Sequence, residues 1–498
     1  MSLDENEIRK LKIAIRTFGC QMNMYDTEVA EGILEDAGYE IVSDKIEDEN
    51  ADDNGRKIDI SQGVDIVLMN TCSVREHAED RVFGRLGMLG KLKKKKPNLI
   101  VGLMGCMPEE HGERLFKRFP QLDFMAGTRN ILELPSLISQ VVKKREQVAK
   151  IKQDGISIEY TDLIKRRGRF HAWLPIMTGC DKVCTFCIVP ITRGREVSMP
   201  AREVYREAER LVSDGVKWIT LLGQNVNSYK GNPKSEIRNP KEIRNPKDLK
   251  FESSNFEIVS DFDIRYSNSS KQSVSFPKLL EMLCQMDGLE RISFTTSHPQ
   301  DATEELFQVI ARNPKISRRF HLPLQSGSDK MLKRMKRMHT YGDFKAKIDR
   351  LRELVPDVII TTDIMTGFSG ESDQDHADTM RALEEIRFES AFIYKYSVRP
   401  GTPASKLPDD VPIKVKEGRN QELLDLQKKI TQEIHEEWVG RTVEVFVEEV
   451  SVKDRSQLLG RTLDEKKVVF PGQETLIGSF QTVKIEKLKS NTLVGKLV

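Results

Sequence analysis

Three cysteines stand within eight residues, at 180, 184 and 187, in the segment TGCDKVCTFCIVP (178–190). This Cys-x3-Cys-x2-Cys spacing requires a loop that brings three thiolates to one point, and thiolates are ligands for iron–sulfur clusters or zinc. A closed structural zinc site takes four ligands, whereas this loop offers three. We therefore expect Cys180, Cys184 and Cys187 to hold a four-iron cluster with one iron left open to a substrate or cofactor.

Two other uses of these cysteines stay open at this point. His171 could add a fourth ligand and give a zinc site. A structural disulfide is less favoured, because seven cysteines cannot all pair and the polar, acidic amino terminus carries no export signal. The sequence has no run of eighteen apolar residues, so we expect no membrane span and a reducing, cytoplasmic location.

Residues 1–150 are predicted to form a parallel, helix-covered α/β domain. Strand segments lie at 12–18, 65–71 and 99–105, helical spacing covers 25–37 and 76–91, and Pro108 stands where a further helix can begin. Cys20, Cys72 and Cys106 each follow the carboxyl end of one of these strands, the edge where open α/β sheets bind ligands. We expect the three thiols to converge on a second cluster; the alternative is three separate buried cysteines.

Residues 166–400 are predicted to form a partial barrel of six strand–helix units, open on one side. The strand segments lie at 172–178, 216–222, 291–296, 319–324, 358–365 and 390–396. Polar or glycine residues follow each strand, as expected for an active site at the carboxyl face of a barrel. Residues 231–275 interrupt this pattern with the tandem repeat EIRNPK at 236–241 and 242–247, which indicates a disordered or surface insertion.

The carboxy-terminal residues change to a β pattern. After a helical connector at 401–437, five short segments predict a small β-barrel over 438–498. These segments lie at 442–447, 460–462, 468–470, 477–485 and 492–497.

Two basic stretches could contact an anionic partner. The run KRRGR at 165–169 is either a solvated linker or such a contact. Residues 312–347 carry eleven Lys or Arg against two Asp, most densely at Lys333, Arg334, Lys336 and Arg337. This second stretch indicates either contacts to a phosphate backbone or a solvated helix face.

The cysteine array resembles the signature of radical S-adenosylmethionine (SAM) enzymes. Phe186 precedes the third cysteine and Thr178-Gly179 precedes the first, as in that family. The resemblance implies that the open iron binds the amino and carboxylate groups of SAM, that SAM is cleaved to a 5′-deoxyadenosyl radical, and that Phe186 packs near the adenine.

Nearly the whole chain outside 231–275 resembles the methylthiotransferases. The shared motifs are NTCSVREHA (70–78), GCMP (105–108), CIVPITRGRE (187–196), LLGQNVNSY (221–229), HLPLQSGS (321–328) and YSVRPGTP (396–403). GRT at 460–462 resembles the TRAM domain, an RNA-binding β-barrel of that family. Ser369, in GFSGE (367–371), stands where the family has proline, and this departure predicts a looser loop beside SAM.

The resemblance implies two [4Fe–4S] clusters and two molecules of SAM. Cys20, Cys72 and Cys106 would hold an auxiliary cluster, and Cys180, Cys184 and Cys187 the cluster that cleaves SAM. One SAM would methylate a sulfur on the auxiliary cluster, and the other would start a radical reaction at C2 of N6-dimethylallyladenosine, at position 37 of tRNA. We expect a monomer that binds the anticodon loop, takes electrons from an external donor and contacts no membrane.

Several polar residues at strand ends are candidates to bind SAM. They are Gln224, Asn225, Gln325 and Ser326, with Arg337 as a further candidate for the carboxylate; ordinary loop capping is the alternative for them. Arg193 and Arg195 are expected to contact SAM or RNA. Cys284, among apolar neighbours, is interpreted as structural.

Two alternative functions stay open. A sibling methylthiotransferase would act on N6-threonylcarbamoyladenosine in tRNA or on an aspartate of a ribosomal protein. A non-catalytic iron–sulfur protein that binds RNA would need the basic patch and the β-barrel, but neither an open iron nor polar residues at strand ends.

Overall fold

The computed structural model describes residues 10–42, 63–73, 76–151, 162–231, 273–295, 297–489 and 492–498, and only the backbone of 76–78. The amino-terminal domain contains strands β1 (Lys12–Phe18), β2 (Glu40–Ile41), β3 (Ile66–Thr71), β4 (Ile100–Gly105), β5 (Phe124–Ala126) and β6 (Val148–Lys150). They form one parallel sheet in the order β2-β1-β3-β4-β5-β6. This arrangement confirms the predicted parallel α/β domain.

Helices cover both faces of this sheet. They are α1 (Gln21–Asp36), α2 (Glu76–Lys95), α3 (Cys106–His111), α4 (Arg114–Arg118) and α5 (Leu134–Lys144). Alternate residues of β1 point to opposite sides, so Ile13 packs in one hydrophobic core and Ala14 in the other. Helix α1 begins at Gln21 rather than at residue 25, and α3 begins at Cys106 rather than at Pro108. Two of the three cysteines of this domain therefore lie at the amino-terminal end of a helix.

The central domain contains the six predicted strands. In chain order the strands here are β7 (His171–Pro175), β8 (Met177–Thr178), β9 (Val197–Ser198), β10 (Trp218–Leu222), β11 (Lys230–Gly231), β12 (Val274–Ser275), β13 (Arg291–Phe294), β14 (Arg319–His321), β15 (Ile359–Thr366) and β16 (Ser390–Lys395). Two parallel three-stranded sheets, β13-β10-β7 and β14-β15-β16, are joined by a parallel bridge between Ile292 and Ile316. The partial barrel is confirmed.

The helices of the central domain follow its strands. They are α6 (Val189–Thr192), α7 (Ala201–Ser213), α8 (Phe276–Cys284), α9 (Glu304–Arg312), α10 (Asp329–Arg334), α11 (Tyr341–Leu354) and α12 (Asp373–Ile386). A continuous hydrophobic core fills the space between these helices and the strands. Cys284 ends α8 and packs against this core, where burial raises its pKa to about 12.

The predicted insertion leaves the barrel and returns to it through one short ribbon. Strands β11 and β12 pair antiparallel, with Lys230 opposite Ser275 and Gly231 opposite Val274. Residues 232–272, including the tandem EIRNPK repeat, lie outside the described residues. The two ends of the segment are therefore adjacent, beyond the carboxyl end of β10.

The carboxy-terminal domain is a closed five-stranded barrel. Helix α13 (Ile413–Glu436) leads to strands β17 (Thr442–Val450), β18 (Gln457–Arg461), β19 (Lys467–Pro471), β20 (Phe480–Lys489) and β21 (Thr492–Leu497). They close in the order β17-β18-β19-β21-β20 around a small apolar core. The predicted small β-barrel is confirmed. None of the helices in the described part of the chain has the length and apolar character that a membrane span requires.

The small barrel packs against the amino-terminal ends of the central strands. Arg291, the first residue of β13, donates to the carbonyl oxygen of Arg461 at 2.9 Å. Its guanidinium lies 5.6 Å from the ring centroid of Trp218 and 4.6 Å from that of Phe480. Because Trp218 begins β10, the small barrel lies at the end of the central barrel opposite to the one where Cys180 follows β7.

The basic run at 165–169 contacts an acidic face of the chain's own helix α1. The Lys165 ammonium pairs with Glu35, and Arg167 Nη2 donates to Glu31 Oε1 at 2.7 Å. The backbone N–H of Lys165 donates to the carbonyl of Glu28 at 3.1 Å. The anionic partner of this run is therefore internal, and the contact fixes the connector to the amino-terminal domain.

A buried ion network centred on Glu389 joins α13 and the small barrel to the central domain. Glu389 Oε1 is 2.8 Å from Lys466 Nζ and 2.7 Å from His435 Nε2, and Glu389 Oε2 is 3.5 Å from Arg319 Nη1. Burial is the largest influence on the pKa of Glu389 and raises it, but the His435 hydrogen bond and the Lys466 charge outweigh burial and hold this pKa well below its usual range. The resulting stabilisation is present above about pH 4.5 and is lost as the pH falls.

We predict that Lys466→Met lowers the free energy of unfolding at pH 7 by about 3 kcal/mol, because it removes one partner of a buried ion pair. Lys467→Met, at the next and half-exposed position, is the matched control and should have little effect. Urea unfolding followed by tryptophan fluorescence measures the difference, which should shrink at pH 4. Equal unfolding midpoints for the two variants at pH 7 would contradict the assignment.

Candidate active site

The loop after β7 carries Cys180, Cys184 and Cys187, and neighbouring strand ends hold it in place. The backbone N–H of Gly179 donates to Gln224 Oε1 at 2.5 Å, and Lys182 Nζ lies 2.8 Å from the Asp301 carboxylate. Gly179 has a φ of 73°, and a side chain there would meet the carbonyl oxygen of Arg195 at 2.0 Å. The glycine before the first cysteine is therefore required by the close approach of the backbone.

Cys184 receives two hydrogen-bond donors from other loops. Arg337 Nη1 lies 3.3 Å from its Sγ, and His298 Nε2 lies 3.8 Å from it. His298 Nδ1 accepts from the backbone N–H of Gln300 at 3.2 Å, so the ring proton is on Nε2 and faces the sulfur. Burial and the nearby Arg337 charge lower the pKa of His298 to about 2, which keeps the ring neutral.

Of the other two cysteines of the loop, Cys180 is buried and Cys187 is half-buried. Burial raises the pKa of Cys180 to about 11 and that of Cys187 to about 12, and the charges of neighbouring cysteines of the set contribute to both shifts. The three thiols are therefore neighbours, and a metal that binds them must displace their protons. This arrangement suits coordination rather than nucleophilic chemistry.

The zinc alternative that uses His171 is wrong. His171 begins β7, whereas Cys180 follows its other end, and at about 3.3 Å per residue the strand alone separates them by about 13 Å. Its Nε2 is 2.8 Å from Thr220 Oγ1, and its ring contacts Trp173 edge-on at 4.6 Å. Burial lowers the pKa of His171 to about 3, so it is a neutral packing residue near the small barrel.

Gln224 and Asn225, at the carboxyl end of β10, brace the cysteine loop. Gln224 accepts from Gly179, as described, and Asn225 Nδ2 donates to Asp301 Oδ2 at 2.7 Å. Asn225 Oδ1 and Asn227 Nδ2 are buried and have no hydrogen-bond partner among the described residues. Two unsatisfied polar atoms at a strand end leave hydrogen-bonding capacity for a polar ligand.

The other expected SAM contacts divide into two groups. Gln325 is buried with a φ of 75°, a strained conformation for a non-glycine residue, and its Oε1 accepts from the Tyr394 hydroxyl at 2.6 Å. Phe186 packs edge-on to Phe368 at 6.5 Å between ring centroids. Ser326, in contrast, is fully buried against Thr379 of α12 at 3.2 Å, which is the loop-capping role.

The loop at 367–371 is held firmly, contrary to the looseness that Ser369 predicts. Ser369 is fully buried, and its hydroxyl accepts from Arg334 Nη2 at 2.9 Å. Glu371 Oε2 accepts from the backbone N–H of Gly367 and from Arg419 Nη1, both at 2.8 Å. A hydrogen bond replaces the rigidity of the proline that the family has at position 369.

Cys20, Cys72 and Cys106 lie together at the carboxyl edge of the amino-terminal sheet. Their strands are neighbours, and the register sets Phe18 opposite Thr71 and Thr71 opposite Gly105. The Cys20 sulfur is hydrogen-bonded to the Cys72 thiol, and the charge of Cys20 contributes, after burial, to raising the pKa of Cys106. Cys20 is exposed, whereas Cys72 and Cys106 are buried, so this set also opens on one side.

Two asparagines fix the loops that carry Cys20 and Cys72. Asn23 Oδ1 accepts from the backbone N–H of Cys20 at 3.1 Å, and Asn23 Nδ2 donates to Asn70 Oδ1 at 3.0 Å. Asn70 Nδ2 returns a hydrogen bond to the carbonyl of Asn23 at 2.8 Å. Both residues are fully buried, so the network rigidly joins the ends of β1 and β3.

Arg193 has partners other than the expected SAM or RNA. It is 6% exposed, and its Nη2 donates to Asp26 Oδ2 of α1 at 2.8 Å. Its positive charge opposes the burial that raises the pKa of Cys106 and, after the Cys72 hydrogen bond, helps lower the pKa of Cys20 to about 6. Arg195 is exposed and pairs with Asp181 at 2.7 Å.

Short contacts across the interface of the two domains link the segments that carry the two cysteine sets. Cys187 and Arg193 are six residues apart, so their Cα atoms are separated by at most about 20 Å. Helix α6, between them, packs on α3, which begins at Cys106. Thr128 Oγ1 donates to the carbonyl of Thr192 at 3.1 Å, and the buried pair of Arg399 with Glu79 joins the same domains. The loop that carries the Cys180 set is therefore joined through α6 to the helix that begins at Cys106.

The densest part of the basic stretch at 312–347 lies at the mouth of the barrel, which is the end where the loop with Cys180, Cys184 and Cys187 follows β7. Lys333, Arg334 and Lys336 are exposed, whereas Arg337 is buried and reaches Cys184. Lys336 and Met338 have φ values of 54° and 57°, a left-handed conformation on both sides of Arg337. This local strain turns the Arg337 side chain inward and leaves its neighbours on the surface.

Sequence reasoning did not identify His298 or Asn23 as site residues. His298 follows β13, so its place at a strand end was the available signal, but its contact with Cys184 depends on how two strand ends meet. Asn23 stands three residues after Cys20, which is the spacing of a helix cap that folds back on the preceding loop.

The chain matches three known families in succession. Residues 12–127 match the Uncharacterized protein family UPF0004, residues 174–383 match the Radical SAM superfamily, and residues 436–498 match the TRAM domain. These ranges correspond to the parallel sheet, the partial barrel and the closed small barrel.

Several full-length relatives share one name, tRNA-2-methylthio-N(6)-dimethylallyladenosine synthase. The protein of Dictyoglomus thermophilum is 40% identical over 489 residues, covering 98% of each chain. That of Thermoanaerobacter pseudethanolicus is 38% identical over 497 residues, covering 99% of this chain and 94% of the relative. Among solved structures, the radical SAM methyltransferase TsrM from Kitasatospora setae aligns at 13% identity and a TM-score of 0.48, over 79% of this chain and 77% of that one.

We predict that His298→Leu weakens iron retention at the Cys180, Cys184 and Cys187 set, because the sulfur loses a hydrogen-bond donor. His298→Gln, which keeps an N–H group near the same place, is the matched control. The measurement is the rate of iron loss from the reconstituted protein to a chelator. The Leu variant should lose the iron bound by this cysteine set about 10-fold faster than the unaltered chain. Identical rates for the two variants and the unaltered chain would remove His298 from the site.

Proposed function

The chain belongs to the radical SAM methylthiotransferases, and we propose that it adds a methylthio group to C2 of N6-dimethylallyladenosine at position 37 of tRNA. As a member of this family it is an enzyme that uses SAM and an iron–sulfur cluster. The names of its full-length relatives favour this substrate over N6-threonylcarbamoyladenosine and over a ribosomal protein aspartate. Family membership also sets aside the non-catalytic alternative.

The observation that carries the proposal is the presence of two three-cysteine sets in domains that contact each other through α6 and α3. Each set offers three thiols, one fewer than the four positions of a four-iron cluster, and each has members that are not fully buried: Cys20 is exposed, and Cys184 and Cys187 are half-buried. We therefore propose that both sets hold a [4Fe–4S] cluster, the amino-terminal one being auxiliary.

The substrate carbon explains why such groups are needed. C2 of adenine carries an unactivated hydrogen that no acid or base side chain removes readily. When bound, the two clusters and two molecules of SAM supply a 5′-deoxyadenosyl radical and a methylated sulfur. The protein contributes binding, orientation and exclusion of water, with an electron taken from an external donor by a monomeric chain.

The side chains around the Cys180 set fit these requirements. His298 and Arg337 both donate towards Cys184, and hydrogen bonds to a ligand sulfur stabilise negative charge there. The unsatisfied Asn225 Oδ1 and Asn227 Nδ2 suit the amino and carboxylate groups of SAM. Phe186, packed on Phe368, suits the adenine.

We retain five of the six expected SAM contacts as proposals. They are Phe186, Gln224, Asn225, Gln325 and Arg337. Ser326 has a different role in this proposal, because its hydroxyl is fully buried against Thr379 and shapes the loop that follows β14.

The RNA is proposed to approach the mouth of the barrel, where the exposed Lys333, Arg334 and Lys336 surround the loop that reaches Cys184. Lys and Arg at a surface bind the phosphate backbone without reading its sequence. The small barrel lies at the opposite end of the central strands. We propose that the anticodon loop enters the mouth while the small barrel contacts another part of the same RNA.

Separate losses are predicted for the two cysteine sets. Cys72→Ala should still form 5′-deoxyadenosine from SAM but lose methylthio transfer, whereas Cys184→Ala should lose both. Cys284→Ala, a half-buried cysteine of α8 outside both sets, is the control and should keep both. The protein is reconstituted anaerobically and incubated with SAM, a reductant and tRNA that carries N6-dimethylallyladenosine, and its nucleosides are analysed by mass spectrometry.

The outcomes of this experiment separate the reaction from the substrate. A mass gain of one methylthio group on the nucleoside, made by the unaltered chain, supports the proposal. If 5′-deoxyadenosine forms while the nucleoside is unchanged, the substrate is wrong and the sibling substrates are tested next. Loss of both activities in a folded Cys72→Ala protein would argue against two separate clusters.

Binding of RNA at the mouth makes a second prediction. Replacing Lys333 and Lys336 together by alanine should weaken tRNA binding and reduce the slope of log affinity against log salt by about 2, because two phosphate contacts are lost. Lys94 and Lys95, exposed at the end of α2, provide the matched double control. Filter binding at several salt concentrations measures the slope, and equal slopes for the two double variants would place the RNA elsewhere.

A further inference from the structure

We propose that Arg193, which the central domain supplies, is the fixed positive charge of the Cys20, Cys72 and Cys106 site. In this role it sets the reduction potential of the cluster held there. Asp26 holds the guanidinium in place and partly offsets its charge. This inference rests on the proposed auxiliary cluster. It gives Arg193 the role of a positioning and charge-setting residue for a site whose three ligands all come from the other domain.

The position of Arg193 carries the argument. It follows α6 directly, and two contacts from the amino-terminal domain hold its surroundings: Arg129 Nη2 donates to the Arg193 carbonyl at 3.1 Å, and Thr128 Oγ1 to that of Thr192. A side chain at Gly194 would come within 2.1 Å of Arg129 Nη2. The backbone is therefore fixed on both sides of the interface, and the Arg193 side chain extends into the amino-terminal domain.

The surroundings of the guanidinium are the cysteine site itself. Arg193 is 6% exposed and Asp26 is 5% exposed, with Nη2 and Oδ2 separated by 2.8 Å. The side chains of Cys106 and Cys20 are the other charged or chargeable partners of this guanidinium. A buried arginine is costly unless it is paired, and one aspartate with cysteine ligands as its other neighbours indicates that the site is built for an anionic occupant.

Charge accounting shows what the cation does. The negative charge of three thiolates exceeds the positive charge of an oxidised four-iron core by one, so the ligated cluster is anionic. Reduction by one electron makes it more negative still. A fixed positive charge nearby favours the reduced form, so it raises the reduction potential, whereas a fixed negative charge lowers it. Arg193 and Asp26 therefore act on the same cluster with opposite signs.

Arg195 supplies an internal control for this role. It stands two residues further along the same loop and carries the same charge. Its side chain is 80% exposed and is paired with Asp181 at 2.7 Å. A charge in that position is screened by solvent and counter-ions, so its removal should leave the auxiliary site unchanged.

The test uses the full chain with Cys180, Cys184 and Cys187 all replaced by alanine, so that the amino-terminal set alone can hold a cluster. In this background we would compare Arg193→Gln, Arg193→Lys, Asp26→Asn and Arg195→Gln. The measurements are iron and sulfide per chain and the midpoint potential from an EPR-monitored redox titration. The expected shifts are to lower potential for Arg193→Gln, to higher potential for Asp26→Asn, and little change for Arg193→Lys and Arg195→Gln.

The opposite shifts distinguish a charge effect from a loss of structure, which would move both variants in the same direction or abolish binding in both. If the Arg193→Gln variant holds no cluster, the Asp26→Asn variant provides the test. A midpoint potential of Asp26→Asn equal to that of the parent then overturns the inference. A parent that holds no iron contradicts the auxiliary cluster of the proposed function instead. If the parent holds iron and all four variants have the same midpoint potential as the parent, the result contradicts only the role of Arg193 and leaves the auxiliary cluster standing.

Discussion

The contact between the amino-terminal and central domains is the interaction on which the rest of the site depends. Each sheet presents three cysteines at its edge, but neither sheet by itself brings all six thiols together. The interface that joins the two domains has an apolar part, where Met22, Tyr25, Val29 and Ile33 of α1 pack with Leu222, and a polar part, where Arg193 pairs with Asp26 and Arg399 pairs with Glu79. Helix α6 also packs on α3 there. Buried ion pairs are costly unless their geometry is satisfied, so they specify one relative placement of the domains rather than adding much stability. In this chain they fix the cysteine loop of the central domain relative to the carboxyl edge of the amino-terminal sheet.

Much of the fold could be predicted because alternating strands and helices leave a strong periodic signal. All six central strands and the three strands that precede Cys20, Cys72 and Cys106 lie where apolar runs predicted them. Residues that follow such strands share one edge, so the grouping of the cysteines also followed from sequence. Helix starts were less accurate: α1 begins four residues early, because Asn23 folds back on Cys20 and caps the helix there.

Contacts between distant segments were beyond sequence reasoning. His171 has a suitable side chain for zinc, but it lies at the wrong end of β7, where Thr220 and Trp173 surround it. His298 has the same side chain and reaches Cys184, because β13 ends at the mouth of the barrel. The two basic runs show the same limit, since charge alone did not reveal that 165–169 meets α1 whereas Lys333 and Lys336 stay exposed.

The position of the small barrel constrains how a large substrate can bind. Arg291 and Lys466 fix this barrel at the amino-terminal ends of the central strands, and the cysteine loop follows their carboxyl ends. A strand of five residues spans about 13 Å from its first Cα to its last, so contacts at the two ends of the central barrel are at least about that far apart. Strands β11 and β12 leave the central domain beyond the carboxyl end of β10, which puts the ends of the 232–272 segment on the same side as the mouth. The strands of the central domain thus separate the small barrel from the cysteine loop by their own length.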